Sequence, residues 1–180
     1  MFHALVAEMM LQRTKAEQVE PVYLLFSNSY SDASSAASEP EKIRQLLMSL
    51  GLKWRADRML ELFTCLKGKK IPDEYEELIK LPGIGQYIAS SFLSFHRGKR
   101  YPIIDTNSVR LWGRVFGFTY NNETRRKKFF KDIVEKLTPY KDFKEFNYGV
   151  LDLTGLICKF KPLCKQCPLK KNCSYYLNNS

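Results

Sequence analysis

Apolar residues recur every three or four positions along almost the whole chain, and this rhythm restricts the fold more than any other feature. Phe2, Leu5, Val6, Met9 and Met10 form one stripe, Val19, Val22, Tyr23 and Phe26 a second, and Ile43, Leu46, Leu47 and Leu50 a third. The spacing continues through Met59, Leu60 and Phe63, and again through Phe129, Phe130, Ile133, Val134 and Leu137. A period near 3.6 puts such residues on one face of a helix, whereas a half-buried strand needs strict alternation. Only "RYPIID", residues 100–105, reads as a brief extended link. The fold class expected is therefore all-α, with roughly eight to ten short helices. Breaks at "GLKW", "LPGIG", "RGKRYP" and "LTPYKD" mark helix boundaries. Residues 27–40, rich in Ser and Ala, read as a surface loop with a short helical turn.

At 180 residues and 44% hydrophobic, the chain can bury a real core as one compact unit or two small lobes. Lys and Arg number 29 against 19 Asp and Glu, a formal charge of +10 that favours a polyanionic partner. Nucleic acid is the first candidate and an anionic membrane the second. No apolar run approaches the roughly 20 residues of a bilayer span, and no secretory signal pattern opens the chain. The expectation is an intracellular monomer that makes no use of a membrane. Four of the five cysteines, Cys158, Cys164, Cys167 and Cys173, lie beyond residue 157, unlike a disulfide framework spread over a fold. Cys65 stands alone on an apolar helical stretch, as a small buried side chain does.

In "LPGIG", residues 81–85, Gly83 and Gly85 let the backbone turn sharply before the helix "QYIASSFLSF" opens. Free amides at such a helix start can bind a phosphate, although an ordinary helix-to-helix turn needs no ligand. The order helix, hairpin, helix, then "RGKR", in so basic a chain, suits a grip on a nucleic-acid backbone that reads no sequence. The cysteines are spaced C-x5-C-x2-C-x5-C. One continuous wrap around an iron-sulfur cubane suits this better than a zinc site built from two separated knuckles. Lys159, Lys161, Lys165, Lys170 and Lys171 lie among them as a basic rim.

The stretch "LPGIGQYIASSFLSFHRGKRYPIIDTNSVRLWGRVFGF", residues 81–118, resembles the signature of the helix-hairpin-helix (HhH-GPD) DNA glycosylases related to endonuclease III and MutY. The similarity extends through residues 4–26, 46–60 and 143–176. It implies a two-lobed all-α fold: a lobe of residues 20–118 containing the motif at 81–96, and a second of residues 1–19 plus 119–180 carrying the cluster loop at 158–173. It also implies an N-terminal segment ahead of Glu8 that is longer than the one here. The family's C-terminal [4Fe-4S] cluster is spaced C-x6-C-x2-C-x5-C, one residue longer in the first gap, and the resemblance assigns Cys158, Cys164, Cys167 and Cys173 as its ligands.

The same resemblance assigns roles. Asp105 matches the aspartate beside the deoxyribose of an extruded nucleotide, where a carboxylate stabilises charge developing at C1′; its residue type equally suits the N-cap of the following helix. Glu8 matches the glutamate of the MutY-like branch, able to supply a proton or hold a water. Tyr87 stands where bifunctional relatives carry a lysine that forms a Schiff base, and a phenol cannot do that. Leu81, Gly83, Ile84 and Gly85 form the phosphate grip. Gln12 and Arg13 match plug residues, Leu52 the wedge, and Asn107 a residue that orients the sugar or Asp105.

"LQRT", "GLKW" and "NYGVLDLTGLIC" look closer to the archaeal and bacterial mismatch glycosylases than to adenine glycosylases. The expected function is therefore monofunctional removal of thymine or uracil opposite guanine in duplex DNA, in a prokaryotic cell. MutY-like adenine removal is the alternative. A non-catalytic DNA-binding module with a structural cluster, and a basic redox or zinc protein, are alternatives of other classes.

Overall fold

The computed structural model describes residues 1–51 and 53–179. It contains eleven α-helices and no β-strand among the described residues, as the apolar spacing predicts. The chain divides into two compact units, Met1–Arg97 and Gly98–Ser180. The lobes implied by the resemblance instead set 20–118 against the two ends. The difference has a packing cause: the first helix packs on its neighbours within the first unit, and residues 98–118 lie with the C-terminal helices.

The first unit comprises α1 (Phe2–Met10), α2 (Ala16–Ser29), α3 (Ala33–Ala37), α4 (Pro40–Met48), α5 (Lys53–Leu66), α6 (Tyr75–Leu78) and α7 (Gln86–Ser91). The last continues as a π-helical turn, Phe92–His96. An aromatic knot centres this unit: Phe2, Phe26 and Phe63 meet with ring centroids 5.4–5.9 Å apart, and Tyr30 packs on Phe26 at 5.3 Å. Leu5, Met9, Ile43, Met59, Leu62, Ile88 and Phe92 complete the core. The Ser/Ala-rich stretch is more ordered than a surface loop. Asp32 and Ser35 form a capping box that starts α3, and Ala33 and Ala36 are buried where α3 packs on α5. Cys65, expected to be buried, is only partly so.

The second unit holds α8 (Thr106–Phe116), α9 (Lys128–Leu137), α10 (Phe143–Asp152) and α11 (Ser174–Asn179), with a π-helical turn at Leu153–Ile157 and 3₁₀ turns at Cys164–Gln166 and Lys170–Asn172. "RYPIID" leads into α8 without regular structure. Gly117, at φ +75°, ends α8 in the left-handed conformation that glycine adopts without Cβ strain. The core joins Val109, Leu111 and Trp112 of α8 to Phe130 and Val134 of α9 and Val150 of α10. At its edge, Arg100 donates to the Thr138 carbonyl at the end of α9 and pairs with Glu135. No helix among the described residues is long and apolar enough to cross a membrane.

Phe26 is fully buried at the centre of the aromatic knot, so truncation leaves a cavity that the surrounding rings cannot fill. Phe26→Ala is expected to destabilise the protein by about 3–5 kcal/mol, read as a lower denaturation midpoint.

Candidate active site and cysteine loop

In the first unit the hairpin follows α6 through one tight turn, closed by the Ile84 amide donating to the Leu81 carbonyl at 3.1 Å. Gly83 has φ +76°, and a Cβ there would lie 2.6 Å from the Met9 methyl and 3.1 Å from Arg58 Cβ. The left-handed backbone favours glycine at this position, and Arg58 Cβ on α5 leaves little room for a side chain, whereas the Met9 methyl is the movable end of a flexible chain. Gly85 differs from the sequence expectation. It is the N-cap of α7 with an ordinary extended backbone, and a Cβ there would meet open space. The Ile84 side chain is buried and Leu81 half-buried, so the pair anchors the turn, while Gly85 is exposed at its end.

Glu8 projects from α1 into the interior, where its carboxylate lies 3.1 Å from His96 Nε2. His96 sits on the π-helical turn that extends α7, a local widening of the helix often found at functional sites. It is one of two histidines in the chain. Sequence reasoning passed over it because 88 residues separate the partners and nothing local marks the contact. Tyr87, half-buried, occupies the first turn of α7 beside the hairpin, and its carbonyl accepts the Ser91 hydroxyl at 2.7 Å. Gln12 and Arg13 lie in the turn after α1. Arg13 is exposed and has φ +54°, a left-handed conformation rare for a residue with a side chain. Leu52 lies outside the described residues.

In the second unit Asp105 is the N-cap of α8. Its Oδ1 accepts the Ser108 amide at 2.7 Å, and the Ser108 hydroxyl accepts the Asp105 amide at 2.9 Å. Oδ2 accepts the Asn107 side-chain amide at 2.8 Å. The cap predicted by residue type is thus present, and Asn107 donates a hydrogen bond to the carboxylate oxygen that the cap leaves open. A carboxylate has acceptor capacity beyond these two bonds. Asn107 is held in turn by Arg110 at 2.8 Å, and Arg110 donates to the Cys158 carbonyl at 2.9 Å and the Thr154 carbonyl at 3.2 Å.

One turn further along α8, Arg114 donates to the Lys159 and Phe160 carbonyls at 2.6 and 2.9 Å and lies 3.5 Å from the Cys158 sulfur. Burial pulls its guanidinium down, but the hydrogen bond to Cys158 and the neighbouring Cys158, Tyr120 and Tyr175 hold it above its ordinary value. Cys158, Cys164, Cys167 and Cys173 line one cavity together with Leu111, Arg114 and Ile157. Burial pushes the Cys164 thiol up, and the other three thiols add to that shift while Arg114 opposes it. Among the described residues no three His, Cys, Asp or Glu side chains converge as a single metal ion requires.

A helix-hairpin-helix motif matches residues 66–95. The chain is 38% identical to a thymine-DNA glycosylase of Aeropyrum pernix, an alignment covering 97% of this chain and 82% of that protein. It is 36% identical to an adenine DNA glycosylase of Buchnera aphidicola over 97% of its own length but spans only 51% of that protein. The solved structure of a thermostable thymine-DNA glycosylase superposes with a TM-score of 0.91 at 30% identity, covering 98% of this chain and 84% of that one.

The two hairpin glycines are expected to respond differently to substitution. Gly83→Ala adds strain to overlap and should cost about 1–3 kcal/mol. Gly85→Ala loses only a favourable N-cap and should cost under about 1 kcal/mol. Paired denaturation midpoints of the two variants check the contrast.

Proposed function

This chain belongs to the helix-hairpin-helix family of DNA glycosylases, and from that membership and its site residues we infer a monofunctional base-excision enzyme that hydrolyses the N-glycosidic bond of thymine or uracil opposite guanine. The observation that carries the hydrolytic reading is Tyr87 in the first turn of α7, directly after the hairpin. A phenol there offers no amine to attack C1′, so water completes the displacement and the product is an abasic site. The choice of pyrimidine is supported by a thymine-DNA glycosylase relative spanned over four-fifths of its length, against about half for an adenine relative.

In this reading the backbone of Leu81–Gly85 grips a phosphate of duplex DNA, and the mismatched nucleotide leaves the stack because its bond is otherwise out of reach. Gln12 and Arg13, with Leu52, fill the space it vacates. Asp105, aimed by Asn107 and the α8 cap, stabilises the positive charge that builds at C1′ as the bond stretches. Glu8, held by His96, accepts a proton from the attacking water. The net charge of +10 draws the monomeric protein to DNA within the cell.

We also propose that the four cysteines hold a [4Fe-4S] cluster. Support comes from the four closely spaced cysteines that line one cavity and from Arg114 beside Cys158, placed to offset thiolate charge. The first cysteine gap, one residue shorter than the family's, is the departure this loop must accommodate. When bound, the cluster would cross-link the loop and contribute folding energy. The reaction itself asks no redox step of it.

Single-turnover assays on T·G, U·G, A·G and A·8-oxoguanine duplexes, developed with alkali, are expected to show cleavage at T·G and U·G, and borohydride should trap no covalent complex. Release of adenine alone would transfer the reading to the adenine branch, and binding without release from any duplex would remove the enzyme. Asp105→Asn keeps the cap acceptor and should lower the rate by about 10²–10³-fold while duplex binding persists. Purified without chelators, the protein is expected to contain about four iron atoms per chain, with absorbance near about 400 nm. Stoichiometric zinc instead would overturn the cluster.

A further inference from the structure

Arg55, near the start of α5, is the largest fully buried side chain of the described residues, at 1% exposure, and the mechanism above makes no use of it. Its Nη1 donates to the Met10 and Gln12 carbonyls, each at 2.7 Å, and to the Thr14 hydroxyl at 3.0 Å. Its Nη2 donates to the Leu50 carbonyl at 2.8 Å and the Gly51 carbonyl at 3.4 Å. All five acceptors are neutral. Burial lowers the pKa of this guanidinium, which nevertheless stays charged, and that charge sits where α1 and α4 both end. The negative ends of two helix dipoles and their free carbonyls stabilise it there.

The arrangement does more than fill space. A planar fork of fixed geometry spans two chain turns: Leu11–Thr14, which carries Gln12 and the left-handed Arg13, and Ser49–Gly51, which closes with Gly51 at φ +69°. In the first turn Arg13 is a non-glycine residue in the left-handed region, a conformation that costs free energy and persists where its surroundings fix it, whereas Gly51 adopts the same region without that cost. Two nitrogens of one rigid group bond to both turns, so neither can shift without breaking bonds that a buried guanidinium cannot replace from water.

We propose that Arg55 is a positioning residue that locks the turn Leu11–Thr14 to the turn Ser49–Gly51, so that both press into the duplex as one rigid device when the base is extruded. The proposal rests on the reading that Gln12 and Arg13 face DNA. Its consequence is selective. The lock matters where a paired, stacked base has to be displaced, and matters little where pairing and an opposing base are already absent.

The experiment compares single-turnover rates on uracil opposite guanine and uracil opposite an abasic-site analogue, for the full chain and Arg55→Lys. Lysine keeps the charge and loses the fork. On U·G the variant is expected to fall by about tenfold or more, since misplacement by about 1 Å costs up to roughly a hundredfold. On the abasic-opposed uracil it should stay within about threefold of the parent, because no stacked partner has to be replaced. Equal losses on the two substrates, or no loss on either, overturn the proposal. If Arg55→Lys does not fold, Thr14→Val, which removes one acceptor, must show the same substrate-selective loss on a smaller scale, and a uniform or absent loss again overturns it. Gln12→Ala and Arg13→Ala separate the two levels: if neither alters the U·G rate, the DNA-facing reading fails, whereas if they do and Arg55→Lys does not, the lock alone fails.

Discussion

The N-terminal cap of α8 is the interaction on which the organisation of the second unit turns. Asp105 closes that helix with one carboxylate oxygen and Ser108, and its other oxygen is held by Asn107. A helix start needs an acceptor for its free amides, and a glycosylase needs a carboxylate that does not wander. Under the proposed mechanism one side chain meets both needs. The same helix then presents Arg110 and Arg114 at four-residue spacing, so that both reach the cysteine loop through its backbone carbonyls. The carboxylate and the loop are therefore held by one rigid rod, and a displacement of either has to pass through α8.

The first unit meets a comparable demand by close approach and burial. Gly83 brings the hairpin into close contact with Met9 of α1 and Arg58 of α5, which seats the turn against the helix bearing Glu8. His96 holds Glu8 from the far end of the helix that starts at the hairpin. A carboxylate among apolar neighbours is costly without a partner, and the imidazole supplies one. Arg55 is the third fixed point, where a single guanidinium satisfies carbonyls from two helix ends that would otherwise be unpaired.

Much of this was legible in the sequence, because the signals involved are local. Helical class followed from the apolar period, the cap from Asp105 just ahead of the next helix, and the hairpin from the Pro-Gly-Ile-Gly order. The exceptions share a physical cause. Gly83 and Gly85 look alike in the sequence, yet only the first is favoured by its surroundings, because the atoms that crowd a Cβ come from Met9 and Arg58. The Ser/Ala-rich segment looked like a surface loop because alanine carries little hydrophobic signal, although Ala36 is wholly buried beneath α5. Likewise the unit boundary at Arg97 depends on which helices α1 packs against, and that packing has no periodicity of its own.

By itself the sequence determined that this chain is helical, basic, turned at a glycine hairpin and furnished with four clustered cysteines, since composition, period and short spacings are properties of neighbouring residues. It also supplied Tyr87 in place of an amine, from which the hydrolytic reading follows. Only the tertiary structure decided which partners hold the chemistry in place: His96 against Glu8, Arg110 between Asn107 and the Cys158 carbonyl, and Arg55 across two turns. Those contacts join residues about forty to ninety positions apart in most cases, and a charge buried far from its sequence neighbours finds its partner only when the chain has folded.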